Sequence, residues 1–541
     1  MTPETLRPDA APRSPSLIVP GPSAITAPAG SANLTVIIDS FVVDDEFAEL
    51  APVTTAIAER IIGRPVSLAE IYATAAALER SYVASGFPLA RVIVPPQHLV
   101  NHGRLRFVVV DGFIESVDVE GVDARVRRVV SERSAVLIGR RRLRLDALER
   151  ALLVAGDVPG LRLTSTLDRG QSDGGVRLVL EGTYQPISGS LGFDDRLSHT
   201  LGTWQSRATF SLNSVFGAGE QIYATAGTAA NIDLGVDGRS PLSIYGGGLV
   251  VPIGTDGFTL NPEYTRSVTR TAAASGLPAS LGSFERYVVR VREPIDLTRN
   301  ASLYINAAFE MIDQQLSAPD FATRLNHDHY AVLRGGTDYA GLLPWGATWQ
   351  LTTSASKGLG GRSSRDAAAS GIPLSRQGAG PDFTKVSASA RFVQPLALGL
   401  RFDLMASGQF TGGAPQMRPE QISLDGNDQM SAFASGTFTA DQGIVLRSEL
   451  TRPFRVTWGG VNAGVSPYLF GAVGHGWLAQ ATAVEQPSFT AESFGLGVRT
   501  GIESRAGGPT GSLTLELARG FTDLAGVKAG WRTNIVAASV F

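Results

Sequence analysis

Residues able to do chemistry are few and scattered in this sequence. It has no cysteine and six histidines: His98, His102, His199, His327, His329 and His475. Without thiols there are no disulfides and no thiolate metal ligands. Only His327 and His329 are spaced to share one strand face, and a surface pair is expected there, because a metal centre needs three or four converging ligands. No phosphate-binding P-loop, HExxH, GxSxG or dinucleotide fingerprint occurs in a usable context. The chain is therefore read as a non-enzyme with no cofactor and no metal. Its net charge of -3 gives no argument for nucleic acid. The basic run Arg140–Arg144 has no interleaved aromatics, so a solvated surface is expected there.

The informative stretch is Pro419–Pro453. It opens as a long Gly- and Asp-containing loop without a basic residue, then becomes an alternating strand over Ile444–Leu450. Leu446, Ser448 and Leu450 fall on one face of that strand, and Val445, Arg447 and Glu449 on the other. A loop this long costs little extra closure entropy, yet rarely persists in a compact domain without a role.

The elements that position this loop read as strands. From Gln185 to Phe541 the dominant period is two. Leu303, Ile305, Ala307, Phe309 and Met311 alternate with Tyr304, Asn306, Ala308 and Glu310. Val386, Ala388, Ala390 and Phe392 alternate with Lys385, Ser387, Ser389 and Arg391, and Leu400–Phe410 repeats the pattern. One greasy and one wet face, low charge (18%) and 61 glycines fit a large antiparallel barrel in a membrane. No apolar run is long enough for a membrane helix. We count roughly sixteen strands, an even number as such barrels need. Connections after even strands are short (216–219, 296–299, 397–399). Those after odd strands are long (266–283, 358–382, 412–440, 476–490), which separates an inner from an outer rim.

Before the barrel, two mixed domains are expected. Residues 34–111 read strand, helix (Glu46–Ile62), helix (Leu68–Ser85), strand, strand. Residues 112–184 repeat the plan with helices at Val122–Ser134 and Leu145–Ala155 and a turn at Asp157–Gly160. Residues 1–33 are rich in Pro, Ala and Ser and should form an extended arm or linker. Met1–Arg13 has no apolar run after a basic start, so no export leader is expected within it.

Two motifs carry a resemblance. Glu420, Gln421, Ser423, Leu424, Gly426, Phe433, Asp441, Gly443, Leu446, Arg447, Glu449 and Leu450 fit the pattern "EQFSLGG…SVRGF…GDxGxxLRNEL". That pattern resembles the sixth outer loop and following strand of the ShlB/FhaC/HecB family, the outer-membrane transporters of two-partner secretion. Ser81–Val117, with Gly86, Phe87, Pro96, Gln97, Gly103, Asp111 and Gly112, resembles the family's first POTRA domain, and Leu143–Gly170 its second. The resemblance implies two periplasmic βααββ domains and a 16-stranded transmembrane barrel in the outer membrane of a Gram-negative bacterium. It implies export without nucleotide of an unfolded, β-helical exoprotein of adhesin or haemolysin type, by a monomer surrounded by lipid and lipopolysaccharide. A barrel-assembly factor, or a passive pore or anchor that has lost transport, are the alternatives. It also allows an N-terminal plug through the pore, which the prolines would keep extended or very short.

In the family the sixth loop folds into the lumen, where the arginine of its VRGF motif meets an aspartate on a later strand of type PYxFxDxG. Here that motif reads Met430-Ser431-Ala432-Phe433. The facing strand reads PYLFGAVG, with Tyr468, Phe470, Ala472 and Gly474 and with alanine at the aspartate position. Both charges are replaced, so the loop is expected to be held by neutral groups, namely Asn427, Gln429 and Ser431, with Phe433 packed in the lumen.

Overall fold

The structure is a computed structural model. It describes residues 16–18, 27–229, 240–273, 278–365, 376, 378–425, 429–458, 461–483, 485–502 and 510–541.

Period-two sequence becomes wall. The strands from Ile187–Asp194 to Trp531–Val540 form one closed antiparallel barrel in chain order. Gln442–Thr451 and Phe454–Trp458 both pair with Val461–Trp477, so they form one stave interrupted at Arg452–Pro453, where proline offers no ladder donor. Counted so, there are sixteen staves. The seam between first and last is short, five paired positions from Val536↔Asp194 to Val540↔Ser190. Phe541 extends it with two backbone hydrogen bonds to Gly189.

The two faces are sorted as the alternation demands. Ile305, Phe309 and Met311 are exposed, and Tyr304, Ala308 and Glu310 are buried. The same holds for Ile444, Leu446 and Leu450 against Val445, Arg447 and Glu449. An apolar outer belt around a polar interior suits a wall between lipid and lumen.

Two loop expectations need correction. The connection after the seventh strand is outer but short, Pro319–Ala322. Parts of the expected loops 266–283 and 358–382 are strand, because Thr259–Thr271, Ser280–Leu297 and Thr348–Arg365 run further than their apolar belts. Beyond the belt both strand faces meet water, so polar sequence there looks like loop.

Each N-terminal domain packs two helices on a small sheet. The first has sheet order Pro65–Ser67, Thr35–Asp44, Gly103–Val110, Arg91–Ile93. Its helices are α1 (Ala51–Ile61) and α2 (Leu68–Ala84), over a core that includes Ile38, Phe47, Leu78, Tyr82 and Phe107. α1 begins five residues later than expected. A 3-10 turn, Ala48–Leu50, precedes it, and Pro52 sits in its first turn, where a missing N–H costs nothing. Ser67 caps α2 by accepting from the Glu70 N–H. The second domain has order Ser16–Ile18, Leu161–Arg169, Gly175–Tyr184, Phe113–Gly121. Its helices are α3 (Ala124–Ser134), capped by Asp123, and α4 (Leu145–Gly156).

The run Arg140–Arg144 is not merely a solvated surface. Arg141 stacks on Phe113 at 3.9 Å and donates to the Asp111 carbonyl at 2.8 Å. Arg142 lies over Phe47 at 4.8 Å and Arg144 over Phe87 at 5.5 Å. The run joins the two domains. Sequence gave no sign of this, because the rings it covers lie up to about a hundred residues away.

A second junction ties the domains to the barrel. On α4, Arg150 donates to the carbonyls of Pro294 and Ile295 at 2.9 and 3.1 Å, while Leu153 and Val154 pack against Leu297 and Tyr304. From α3, Arg128 reaches the Gly217 carbonyl at 3.3 Å. Both contacts lie at turns after even strands, which fixes the rim that faces the two domains.

Candidate functional site: a loop laid across the lumen

The connection between the eleventh strand (Arg401–Phe410) and Gln442–Thr451 leaves the outer rim and turns inward. A short hairpin, Ile422–Ser423 with Thr439–Ala440, forms its stem. Asp425 closes the tip by accepting from Ser423 Oγ (2.6 Å) and the backbone N–H of Gly436 and Phe438 (3.1 and 2.6 Å). Gly426 and Asn427 lie outside the described residues, so the expectation for Asn427 lies outside them too.

Two charged anchors hold the loop to opposite walls. Glu420, fully buried, receives Arg334 (2.9 and 3.1 Å), Lys385 (2.8 Å) and the Tyr330 hydroxyl (3.1 Å). Arg334 also meets Glu310 at 3.0 Å. These partners stand on the seventh, eighth and tenth strands. A buried carboxylate met by two cations and a hydroxyl is satisfied, and removing one cation strands it.

At the other wall the anchor is built around Arg447, 2% exposed. Its Nη1 donates to Ser431 Oγ at 2.9 Å and to the Gln429 carbonyl at 3.0 Å. Its Nε meets Glu449 at 2.8 Å, its Nη2 meets Glu516 at 2.6 Å, and its plane lies on Phe470 at 3.8 Å. Tyr468 donates to Glu516 at 2.7 Å, and Arg499 forks onto Glu449 at 2.6 and 2.9 Å. Asn534 on the last strand donates to the Ser431 carbonyl at 2.8 Å, and Ser493 accepts the Ala432 N–H at 3.2 Å.

Apolar packing completes the seat. Leu424, Met430, Phe433, Phe438 and Ala472 share one cluster, with Phe433 and Phe438 edge to face at 4.7 Å. A Cβ at Gly474 would stand 2.6 Å from the Met430 methyl, and one at Gly520 2.5 Å from the Phe433 ring. Those two glycines therefore make room for the tip. Gly443 lies opposite Gly476 on the neighbouring strand.

The base of the loop has its own clamp. Asp441 accepts from the backbone of Gln416 and Ala479 and from the Gln421 amide. It also pairs with Arg376, which comes from the preceding outer loop and reaches Glu485 in the following one.

Thus the facing-strand residues do meet the tip: Tyr468 and Phe470 line the Arg447 anchor, Ala472 pairs in register with Arg447, and Gly474 lies under Met430. Ser431 holds the loop through its hydroxyl, Gln429 does so through its backbone carbonyl and not its side-chain amide, and Phe433 packs in the lumen. The expected neutral hold, however, is corrected. To Arg447 the loop supplies two acceptors, the Ser431 hydroxyl and the Gln429 carbonyl, while the cation comes from the wall and its anions are Glu449 and Glu516. The signal was present, as alternation placed Arg447 and Glu449 on the wet face. Alternation put Lys385 on the wet face as well, whereas Glu516, Arg334 and Arg376 carried no local signal.

The motif of the first domain has a different use. Gln97 pairs both ways with the Arg106 backbone (2.8 and 2.9 Å), next to Pro96. Gly103 opens the Gly103–Val110 strand. Gly86 accepts from the Leu145 N–H, Phe87 lies under Arg144, and Asp111 accepts the Arg142 N–H at 2.9 Å beside Gly112. Gly86, Phe87 and Asp111 thus build the joint between the domains. At the far end, Ser172 and two backbone N–H groups keep the Glu115 carboxyl below its usual range and pin the Gln171–Ser172 turn. His327 and His329 both meet Asp313 (3.1 and 3.0 Å), and no metal-binding cluster exists among the described residues.

Comparison with known proteins agrees with this architecture. The profile for "Haemolysin secretion/activation protein ShlB/FhaC/HecB" matches residues 174–500, and that for "POTRA domain, ShlB-type" matches residues 37–112. The hemolysin transporter protein ShlB of Serratia marcescens is 25% identical over 395 residues, 70% of this chain and 65% of ShlB. The heme/hemopexin transporter protein HuxB of Haemophilus influenzae is 24% identical over 183 residues, 34% of this chain and 31% of HuxB. Both matches cover less than two thirds of the relative. Among solved structures, CdiB from Escherichia coli superposes with a TM-score of 0.69 at 18% identity, covering 96% of this chain and 94% of that one. CdiB from Acinetobacter baumannii gives 0.62 at 15%, covering 94% and 90%. With its family profile covering more than half its length, the chain belongs to the haemolysin secretion/activation family ShlB/FhaC/HecB, outer-membrane β-barrels preceded by POTRA domains.

Proposed function

We propose that this protein exports an unfolded exoprotein of adhesin or haemolysin type across the outer membrane. The single observation that carries the reading is a loop anchored to both walls of the lumen by buried charge. A barrel permanently open to small solutes has no use for such a bolt, and a bolt on a pore implies a state in which it is drawn. The named functions of ShlB and HuxB, transport of a hemolysin and of heme/hemopexin, point the same way.

The POTRA pair stands where an arriving chain would be received, fixed to the inner rim through α4. Extended segments add to sheet edges through backbone hydrogen bonds, which tolerates sequence and suits an unfolded cargo. Folding of the cargo outside would supply direction in place of nucleotide.

The test is surface display of a genetically linked β-helical exoprotein. Deleting the transporter gene should leave that exoprotein in the periplasm, with other barrels at normal levels in the outer membrane. Unchanged display refutes the export reading. A general loss of outer-membrane barrels would favour the assembly-factor reading instead.

A further inference from the structure

The ion pairs of the lumen are lopsided. Asp403 on the eleventh strand is fully buried and holds Arg391 at 3.0 Å and Arg401 at 2.7 Å, whose side chains are 45 and 37% exposed. Arg499 is 29% exposed beside buried Glu449. Buried Glu263 on the fifth strand stands behind Arg286 and Arg290 in the same way. In each group the carboxylate sits against the wall and the guanidinium is the part that the open lumen meets. Asp338, beside Arg292, is the exception, and the Arg447 set is buried throughout. The greater length of arginine is not the cause, since on the second POTRA domain Arg177 and Asp168 are 48 and 47% exposed.

Two further facts give the arrangement a sign. Asp403 faces two cations, so that group of three carries one surplus positive charge. Arg207 on the second strand (Gln205–Asn213) is exposed, has no ion-pair partner among the described residues, and shares the strand face of buried Ser211 and Asn213. The second and tenth strands stand on opposite sides of the barrel, so cations line both sides of the lumen. Arg391 and Arg401 flank the inner turn after the tenth strand (Thr384–Pro395), and a cavity lined by Ser389, Arg391, Met405, Gln429 and Arg447 joins Arg391 to the loop tip. Charges of one sign on a concave surface with low-dielectric walls focus the field and concentrate the opposite ion.

We propose that the vestibule beneath the loop is an anion-binding chamber, and that its ligand is an extended, carboxylate-rich polypeptide segment. That such a segment belongs to the cargo rests on the export reading. The preference for anions does not.

Reversal potentials in planar bilayers under a KCl gradient, for the intact protein and for Arg447→Met, test the preference. Arg447→Met removes a cation, so its bias runs against the prediction. Both should pass chloride over potassium by about threefold at low salt, through the focused field. The preference should fade by about 1 M KCl, where the Debye length is roughly 3 Å. Arg207→Glu strands no partner and should lower the ratio, whereas Asp403→Asn uncovers two arginines and should raise it. A hexaglutamate peptide added at the inner rim should block the current at concentrations where hexalysine does not. Labelled hexaglutamate should also bind the intact protein in detergent, and bind Arg207→Glu more weakly. Equal or potassium-favouring permeability, or hexalysine bound as tightly as hexaglutamate, would overturn the proposal. Either result would leave the exoprotein-display test of export untouched.

Discussion

Arg447 shows how one residue can invert a motif without losing its work. It uses Nε and both terminal nitrogens at once: the loop takes Nη1, and the two wall carboxylates take Nε and Nη2. Charge-assisted hydrogen bonds contribute about 1.5–3 kcal/mol, and stripping one member from a buried set costs about 3–5 kcal/mol. Arg447→Met should therefore lower the heat-denaturation midpoint of the barrel on semi-native gels. Ser431→Ala removes one acceptor of that cation and should cost about 1.5–3 kcal/mol, less than Arg447→Met, which strands two buried carboxylates. Ser431→Arg should be worse than Ser431→Ala, because it brings a second cation against Arg447. Exchanging the two, Ser431→Arg with Arg447→Ser, returns the cation to the loop beside Glu449 and Glu516. The pair should be more stable than the sum of the single changes by more than ~1 kcal/mol in a double-mutant cycle. Additivity would mean that residues 431 and 447 do not share the anchor.

At the scale of elements, the wall was the legible part. Alternation over Leu303–Met311 and Ile444–Leu450 tells which side faces lipid because a strand repeats every two residues and each face has one solvent. Legibility stops where that contrast stops. Above the belt both faces are wet, so the ends of Ser280–Leu297 and Thr348–Arg365 read as loop. Ser16–Ile18 is too short for any period to register. The arginines of the run Arg140–Arg144 are exposed, as expected, but their contacts were not legible for another reason: cation–π and backbone contacts are made across domains, and sequence spacing is silent about distance in space. The joint between α4 and the barrel makes a prediction at this scale. Arg150→Ala together with Leu153→Asp should free the POTRA pair, raising hydrogen exchange of the Leu145–Gly156 amides and trypsin cleavage near residue 185, while the barrel stays heat-modifiable. Unchanged exchange would show that α4 does not carry the joint.

At the scale of the whole molecule, the loop touches opposite walls of the barrel. Its Glu420 anchor holds the seventh, eighth and tenth strands, and its tip holds the twelfth to the sixteenth. The identity of the loop was legible from Glu420, Leu424, Asp441 and Gly443, but its fastening was not, because the partners of Glu420 precede it by 35 to 86 residues or more. Buried pairs are little screened by salt. Raising ionic strength should therefore leave closure intact, whereas losing an anchor should not. Single-channel current in planar bilayers reads this directly, comparing the intact protein, Arg447→Met and a variant with residues 418–440 replaced by a short Gly-Ser turn. A low, quiet conductance is expected for the intact protein, flickering openings for Arg447→Met and a large steady current for the replacement. Equal conductance in all three would contradict the claim that this loop bolts the pore.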